Sequence, residues 1–541
     1  MSQLTGLDWT VVGLYFLLIF AGAAYATRRE RRGRETPADY FLAGRNSVWF
    51  IIGASLFASN IGSEHLVGLA GTGAASGVAV AQFEILASLM ILLLGWVFAP
   101  FYLRSGVFTM PEFLERRYSP AARGYLAVVS IIGYVLTKIS VTIAAGGLVF
   151  EALMGIDFWT GAIVVVIATG LYTVLGGLRA VLITDAMQMV VLIGGAVAVT
   201  VIGLDAVGGW NELRTAAGPD FMSVWKPVSD PNFPWTGIVF GAPILGIWYW
   251  CTDQFIVQRV LAARDLSEAR RGTVFAGFLK LLPLFIFVIP GVIAHVLVQQ
   301  GRLELGAPDQ ALPTLVATLL PTGLRGVVVA GLLAALMSSL SSVFNSTSTL
   351  ITWDVYRKLR PNASEQRLVW VGRLSTAALV VFGLLWIPLM SLISGQLYQY
   401  LQSVQAYIAP PIAAVFLLGL LSTRLNGHGA IAALLTGFVI GMGRLVAELN
   451  KGRLDGDGWL YAFADINFLH FAALLFALCS LVLVVGSLLS APPAAERVDG
   501  LTFRRARGAE KAAEPERALR WEVALSALLV AAVATLWIYF S

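Results

Sequence analysis

Two cysteines in 541 residues leave little scope for sulfur chemistry. Cys251 and Cys479 lie far apart, each inside an apolar run, so neither a disulfide framework nor a metal cluster is indicated, and inert buried thiols are the simplest reading. Histidine is also scarce, and His295, His428 and His470 have no polar companions in sequence that would give them a role. Charge is the larger deficit: Asp, Glu, Lys and Arg make up 13% of the chain, against about 25% in ordinary soluble domains. No paired interfacial carboxylates, His/Cys metal spacing or activated nucleophile stands out, which argues against a membrane-embedded enzyme. The net charge of +5 could point to nucleic acid, yet the basic residues are scattered over alternate loops, so no nucleic-acid partner is expected.

What is abundant is apolar: 58% of residues are hydrophobic, with 15 Trp and 54 Gly. The chain reads as an all-α, polytopic membrane protein with membrane lipid as its surroundings and no obligate protein partner evident. At roughly 20 residues per crossing, spans are expected near 9–27, 47–77, 78–103, 123–153, 159–175, 180–203, 235–258, 273–298, 324–356, 368–390, 394–421, 429–448, 465–489 and 521–540, fourteen in all. The first has no basic leader and no small-residue cleavage site, so it reads as a retained helix. Arginines and lysines cluster in alternate loops, among them Arg28 to Arg45, Arg104 to Arg123, Arg259 to Arg271 and Arg357 to Arg367. The positive-inside rule then puts both termini outside the cytoplasm.

The span near 47–77 is interrupted by Ala58-Ser59-Asn60-Ile61-Gly62-Ser63-Glu64-His65. Unsatisfied peptide groups in hydrocarbon cost several kcal/mol each, so such a run survives only where the backbone opens onto a protein-lined cavity. The span near 235–258 carries a comparable interruption, Trp248-Tyr249-Trp250-Cys251-Thr252-Asp253-Gln254, and two broken helices in corresponding positions are expected of a five-plus-five inverted repeat. Further on, an Ala/Leu-rich helix passes into a serine-rich run that puts Ala335, Ser338, Ser339 and Ser342 on one face. Such a face can serve as an oxygen cage for Na⁺, a hard cation, or as small residues that let helices pack closely.

Ionisable groups inside spans are functional candidates by default. Glu84 and Lys280 could accept from and donate to the hydroxyls of a neutral sugar, or could pair locally; Lys138 and Arg373 read as snorkelling to an interface. Asp185 reads as an inner-side cation ligand or as a helix N-cap at Thr184-Asp185. His65 is open between a proton relay, a ligand donor and a satisfied interior histidine. Tyr249 and Trp250 fit either aromatic packing or stacking on the C–H face of a sugar.

Several motifs together resemble a known family. Arg34-Glu35-Thr36, Phe41-Leu42-Ala43-Gly44, Trp49 and Gly53-Ala54-Ser55 are similar to the signature of the sodium/glucose cotransporter branch of the sodium:solute symporter family, with Phe50 in place of a second Trp. The likeness continues through Gly68-Leu69-Ala70-Gly71-Thr72-Gly73 and Ser394-Gly395-Gln396-Leu397, and covers about residues 8–490 with part of the last helix. It implies a LeuT-like core and sodium-driven import of a neutral hexose through an inner or plasma membrane, with myo-inositol or another neutral solute, or a non-transporting sugar sensor or Na⁺ leak channel, as alternatives.

The resemblance also implies roles. A primary Na⁺ site would use the carbonyls of Ala58, Ile61 and Ala335 with the hydroxyls of Ser338 and Ser339. A further Na⁺ would lie between Asp185 and Ser338, Ser341 and Ser342. Sugar contacts would be Asn60, His65, Glu84, Tyr249, Trp250, Lys280 and Gln396, with Leu69 and Phe83 as an outer lid and Tyr249, held by Asn60, as an inner gate. Gly246 stands where relatives often carry a side chain that reaches the sugar, leaving room or removing a hydrogen bond. The expected organisation is an extra helix and cytoplasmic loop (1–46), a first repeat (47–203), an outer loop (204–234), a second repeat (235–421), two added helices (422–490), and a flexible charged linker with a last helix (491–541).

Overall fold

A computed structural model describes residues 4–30, 36–386, 397–506 and 516–541, and these fold as helices and turns with two isolated β-bridges and no strand among them. The helices that matter for the site are α1 (Gly6–Glu30), α2 (Trp49–Asn60), α3 (Ser63–Ser76), α4 (Gln82–Leu93), α5 (Pro120–Gly133), α6 (Phe158–Val207), α7 (Gln254–Leu261), α8 (Leu266–Leu279), α9 (Leu324–Leu350), α10 (Leu397–Leu421) and α11 (Glu516–Tyr539).

Eleven helices among the described residues are long and apolar enough to cross a membrane, fewer than the fourteen expected. The difference lies in how helices join and break. His65–Ser105 and Phe158–Val207 run for 41 and 50 residues, well beyond the roughly 20 that one crossing needs. A glycine with positive φ bends each of them, Gly77 at +76° and Gly177 at +51°. A Cβ at Gly77 would lie 2.1 Å from the Phe221 carbonyl oxygen, and one at Gly177 would lie 2.4 Å from that of Tyr40. Both the backbone angle and the close approach therefore demand glycine. Elsewhere a broken crossing falls short of the length required, as in the 12-residue α2.

The first break is narrower than the polar run implied. Helix α2 starts with the Trp49 amide donating to Glu268 Oε2 at 2.6 Å and stops at Asn60; Ile61 (φ −82°, ψ 90°) and Gly62 (φ −90°, ψ 178°) are extended, and α3 resumes at Ser63. His65 therefore belongs to the first turn of α3. In the second broken crossing Ile247–Thr252 forms a π-turn, Asp253 is extended (φ −77°, ψ 126°), and α7 follows. Asp253 holds this break by accepting from the Phe255 amide at 3.2 Å and from the Tyr134 hydroxyl.

Helix α9 lies at the centre. The most apolar stretch of Leu324–Leu359 is 94% buried, against 17% for that of Leu519–Tyr539, so the serine-rich helix is walled by protein and the last helix faces lipid over most of its circumference. Helix α1 braces α9: the carboxylate of Asp8, fully buried, accepts from the amides of Gly323 at 2.7 Å and Gly326 at 2.9 Å. That caps the free N–H groups of the α9 amino end with a negative charge.

The linker expected to be flexible is docked at Arg497 and Phe503. Arg497 Nη1 donates to the carbonyls of Tyr118 at 2.5 Å and Glu115 at 2.9 Å, and the Phe503 ring meets Phe101 edge-on at 4.9 Å. An arginine that satisfies two loop carbonyls and an aromatic anchor outweigh the disordering effect of the flanking charges.

Candidate transport site

Where α2, α6 and α9 meet, a buried polar cluster surrounds Asp185. Its Oδ2 accepts from Ser55 Oγ at 2.5 Å and Ser59 Oγ at 3.0 Å, and its Oδ1 accepts from Ser338 Oγ at 2.6 Å. Ser59 and Ser342 share a further hydrogen bond of 2.8 Å. Asp185, Ser55, Ser338 and Ser342 are all at 0% exposure. Only neutral hydroxyls hydrogen-bond this buried carboxylate, with Arg259 attracting it through space, so keeping it charged is costly, and a cation bound among these oxygens relieves that cost. Asp185 sits well inside α6, past the bend at Gly177, so it caps no helix. Ser341 departs from the expected set, since its hydroxyl donates to the Ser338 carbonyl of its own helix at 3.0 Å; Ser55 and Ser59 take the place beside the carboxylate.

Next to this cluster lie the oxygens of the first break. The Gly62 amide bonds the Asn60 carbonyl at 3.1 Å and so cannot serve the carbonyl of Ala58, four residues back, as an unbroken helix would. Ser339 Oγ reaches across from α9 to the Ser59 carbonyl at 3.2 Å. Adjacent serines thus divide, Ser338 toward Asp185 and Ser339 toward the break.

On the other side of α2 is a partly open cavity. Asn60, His65, Phe83, Glu84, Tyr249 and Trp250 all line it. Asn60 Nδ2 donates to the Tyr249 hydroxyl at 2.9 Å, and Asn60 Oδ1 accepts from Lys280 Nζ at 2.5 Å. Lys280 also forms an ion pair with Glu84. Lys280, expected to touch substrate, lies fully buried behind the wall and 5.4 Å from the centroid of the Trp250 ring. It neutralises Glu84 and orients Asn60. Phe83 packs edge-on to Phe233 at 6.0 Å and stacks on Phe468 at 6.3 Å. Leu69 is completely buried and off the cavity wall. Gln396 lies outside the described residues.

A model of the sodium:solute symporter family matches residues 40–437. The chain belongs to that family. It is 40% identical over 525 residues to sodium/glucose cotransporter 1 of Oryctolagus cuniculus, covering 90% of this chain and 79% of that protein. It is also 40% identical over 549 residues to the sodium/myo-inositol cotransporter of Mus musculus, covering 93% and 76%. Among solved structures, a Na⁺-coupled sialic acid symporter in a substrate-bound outward-open state aligns over 90% of this chain and 99% of its own with a TM-score of 0.78 at 22% identity. That likeness fixes the fold as the LeuT-like arrangement. The protein is a sodium-coupled solute symporter, with Na⁺ as the coupling ion.

The symporter's cavity also holds residues that sequence reading passed over. Lys138 does not reach for an interface: its Nζ lies 4.2 Å from the ring centroid of Tyr249 and 4.1 Å from that of Phe255, a double cation–π contact at the cavity wall. Gln402 and Gln405 of α10 line the cavity too, and amides three apart on one face of an apolar helix were the available signal. The room expected beside Gly246 is taken by Met90, whose Cγ would stand 2.6 Å from a Cβ at that position.

Proposed function

We propose that this symporter imports a neutral hexose or polyol through an inner or plasma membrane by alternating access, with two sodium ions per substrate. The observation that carries the reading is the chain Glu84, Lys280, Asn60, Tyr249. The Glu84–Lys280 pair is neutral as a whole and gives the cavity fixed acceptors and donors beside two aromatic faces, with the Lys138 ammonium held over Tyr249 at the wall, which suits a ring of hydroxyls over a C–H floor. In this reading one Na⁺ takes the carbonyls of Ala58, Ile61 and Ala335 with the Ser338 and Ser339 hydroxyls. The second takes Asp185 with Ser55, Ser59, Ser338 and Ser342. Ion binding steadies the break in α2, and the same break carries Asn60 and leads into His65, so filling the ion sites completes the substrate wall. Tyr249 closes the cavity below and Phe83 above. Residues 47–203 and 235–421 act as the two repeats, both termini lie outside the cytoplasm, and the basic loops lie inside. Each charge moved inward gains about 2.3 kcal/mol per 100 mV of membrane potential.

A polyol in place of a hexose is supported by equal identity, 40%, to the glucose and the myo-inositol cotransporters. Competition of labelled glucose uptake by a panel of hexoses and inositols, in membrane vesicles with and without a Na⁺ gradient, separates the two. Uptake that ignores the gradient, or current without accumulation of label, overturns the symport reading.

A further inference from the structure

The last helix, α11, lies against α4 and α8, the two helices that deliver Glu84 and Lys280 to each other. At one end Glu522, 2% exposed, accepts from the Ser267 hydroxyl and lies 3.3 Å from Arg271 Nε and 3.9 Å from Arg270 Nη1. Arg270 in turn covers the Trp96 ring at 4.6 Å, and Trp96 Nε1 donates back to Ser526 of α11 at 3.0 Å. Glu522 and Ser526 are one turn apart, so a closed circuit links α11, α8 and the turn that follows α4. Midway, fully buried Leu529 fills the notch at Gly277, where a Cβ would meet its Cδ2 at 2.4 Å. At the far end Trp537 Nε1 donates to Gln82 Oε1 at 2.7 Å, two residues before Glu84. Positions 522, 526, 529 and 537 share one helical face. On the other face Trp521, Leu528 and Ile538 are 63%, 57% and 75% exposed.

We infer that α11 is a splint that sets the spacing of α4 and α8, with Glu522 as a positioning residue for the Glu84–Lys280 pair. The charged pair is the part of the cavity wall least tolerant of a small shift, because attraction between buried charges changes steeply with separation and an unpaired buried charge is heavily penalised. Removing the negative charge at position 522 takes one carboxylate partner from Arg270 and Arg271 at the head of α8 and weakens the circuit that holds Arg270 over Trp96. Helix α8 then settles differently against α4, some nine residues before Lys280. The ion cluster is built on α2, α6 and α9, and of these α2 touches α8, where Glu268 accepts from the Trp49 amide, so the effect falls first on substrate and reaches Na⁺ only at second hand.

The inference rests on the cavity reading above, and its test separates the two. Glu522→Gln, which keeps the shape and a hydrogen bond to Ser267, is compared with Glu84→Gln in the full chain in vesicles, with glucose as the probe. Membrane abundance and the half-saturating concentrations of glucose and Na⁺ are read for each. Glu522→Gln is expected to raise the half-saturating glucose concentration about five-fold at saturating Na⁺, with a clearly smaller rise in the Na⁺ value. A rise for Glu84→Gln alone overturns the splint and keeps the cavity. No rise for Glu84→Gln overturns the cavity reading itself. Equal rises in both half-saturation values for Glu522→Gln mean general loosening and also overturn the splint. If Glu522→Gln fails to reach the membrane, Leu529→Ala, which removes the wedge at Gly277 and no charge, is held to the same outcomes.

Discussion

The ion cluster and the substrate cavity share helix α2 and are built on opposite principles. Around Asp185 every hydrogen-bond donor is a serine, a hydroxyl donates to each carboxylate oxygen, and exposure is zero. The cavity has long charged side chains paired with each other, aromatic walls and open volume. In the proposed reading the first suits a small cation that sheds its water and replaces it with oxygens, and the second a larger neutral molecule whose every hydroxyl seeks a partner. What joins them is a two-residue break, with Ser59 facing the carboxylate on one side and Asn60 facing the cavity on the other.

The sharpest way to break this division is Ser339→Ala. It removes the α9 hydroxyl that meets the break, and Na⁺-dependent glucose uptake in vesicles is expected to fall below detection while membrane abundance stays normal. Persistent Na⁺ dependence counts against the cage. Asp185→Asn keeps the shape of the cluster and removes its charge. The ratio of charge moved to substrate moved is expected to drop from two to one, measured as current against labelled uptake in the same preparation; a wild-type ratio near one sinks the second ion instead. Tyr249→Phe touches the substrate side alone. Losing the Asn60–Tyr249 hydrogen bond, worth about 1 kcal/mol, should raise half-saturating glucose roughly three- to ten-fold and leave the charge ratio untouched.

The smallest effect concerns the basic-loop face. Glu115 is partly buried, which opposes ionisation, but Lys358 and Arg123 both hydrogen-bond its carboxylate and together they hold its pKa below the ordinary 4.5. A depressed carboxylate adds stability above its unfolded value, and that stability is lost as pH falls through the folded one. Glu115→Gln should therefore lower the melting temperature of detergent-solubilised protein slightly near neutral pH. The difference from wild type should vanish in acid below the range of free carboxylates.

Much of the site was legible where a polar residue offends an apolar run. Asn60, His65 and Glu84 stand out on that ground, and the serine face of α9 by its spacing. What stayed hidden depends on register between helices. Ser55 and Ser59 lie one turn apart on α2 and look like packing residues until α6 brings Asp185 to them. Asp185 follows Thr184, a pair that mimics a cap, and only the bend at Gly177 shows that the helix had started earlier. Lys138 looks amphipathic and surface-seeking because its aromatic partners, Tyr249 and Phe255, come more than a hundred residues later. Gln402 and Gln405 are neutral amides that an apolar helix tolerates, so sequence alone gave them no weight. Counting helices does not count crossings for a related reason: breaks and bends at Ile61, Gly77, Gly177 and Asp253 cut and join helices without regard to hydropathy.

Met90 beside Gly246 has a consequence for anyone who would redesign selectivity. A side chain grafted at 246 collides with the methionine that fills the space, so the two positions are epistatic. Glycine is tolerated because Met90 is large, and Met90 fits because 246 is bare. A donor hydroxyl introduced at 246 should be unproductive in this background and become productive only after Met90 is shortened.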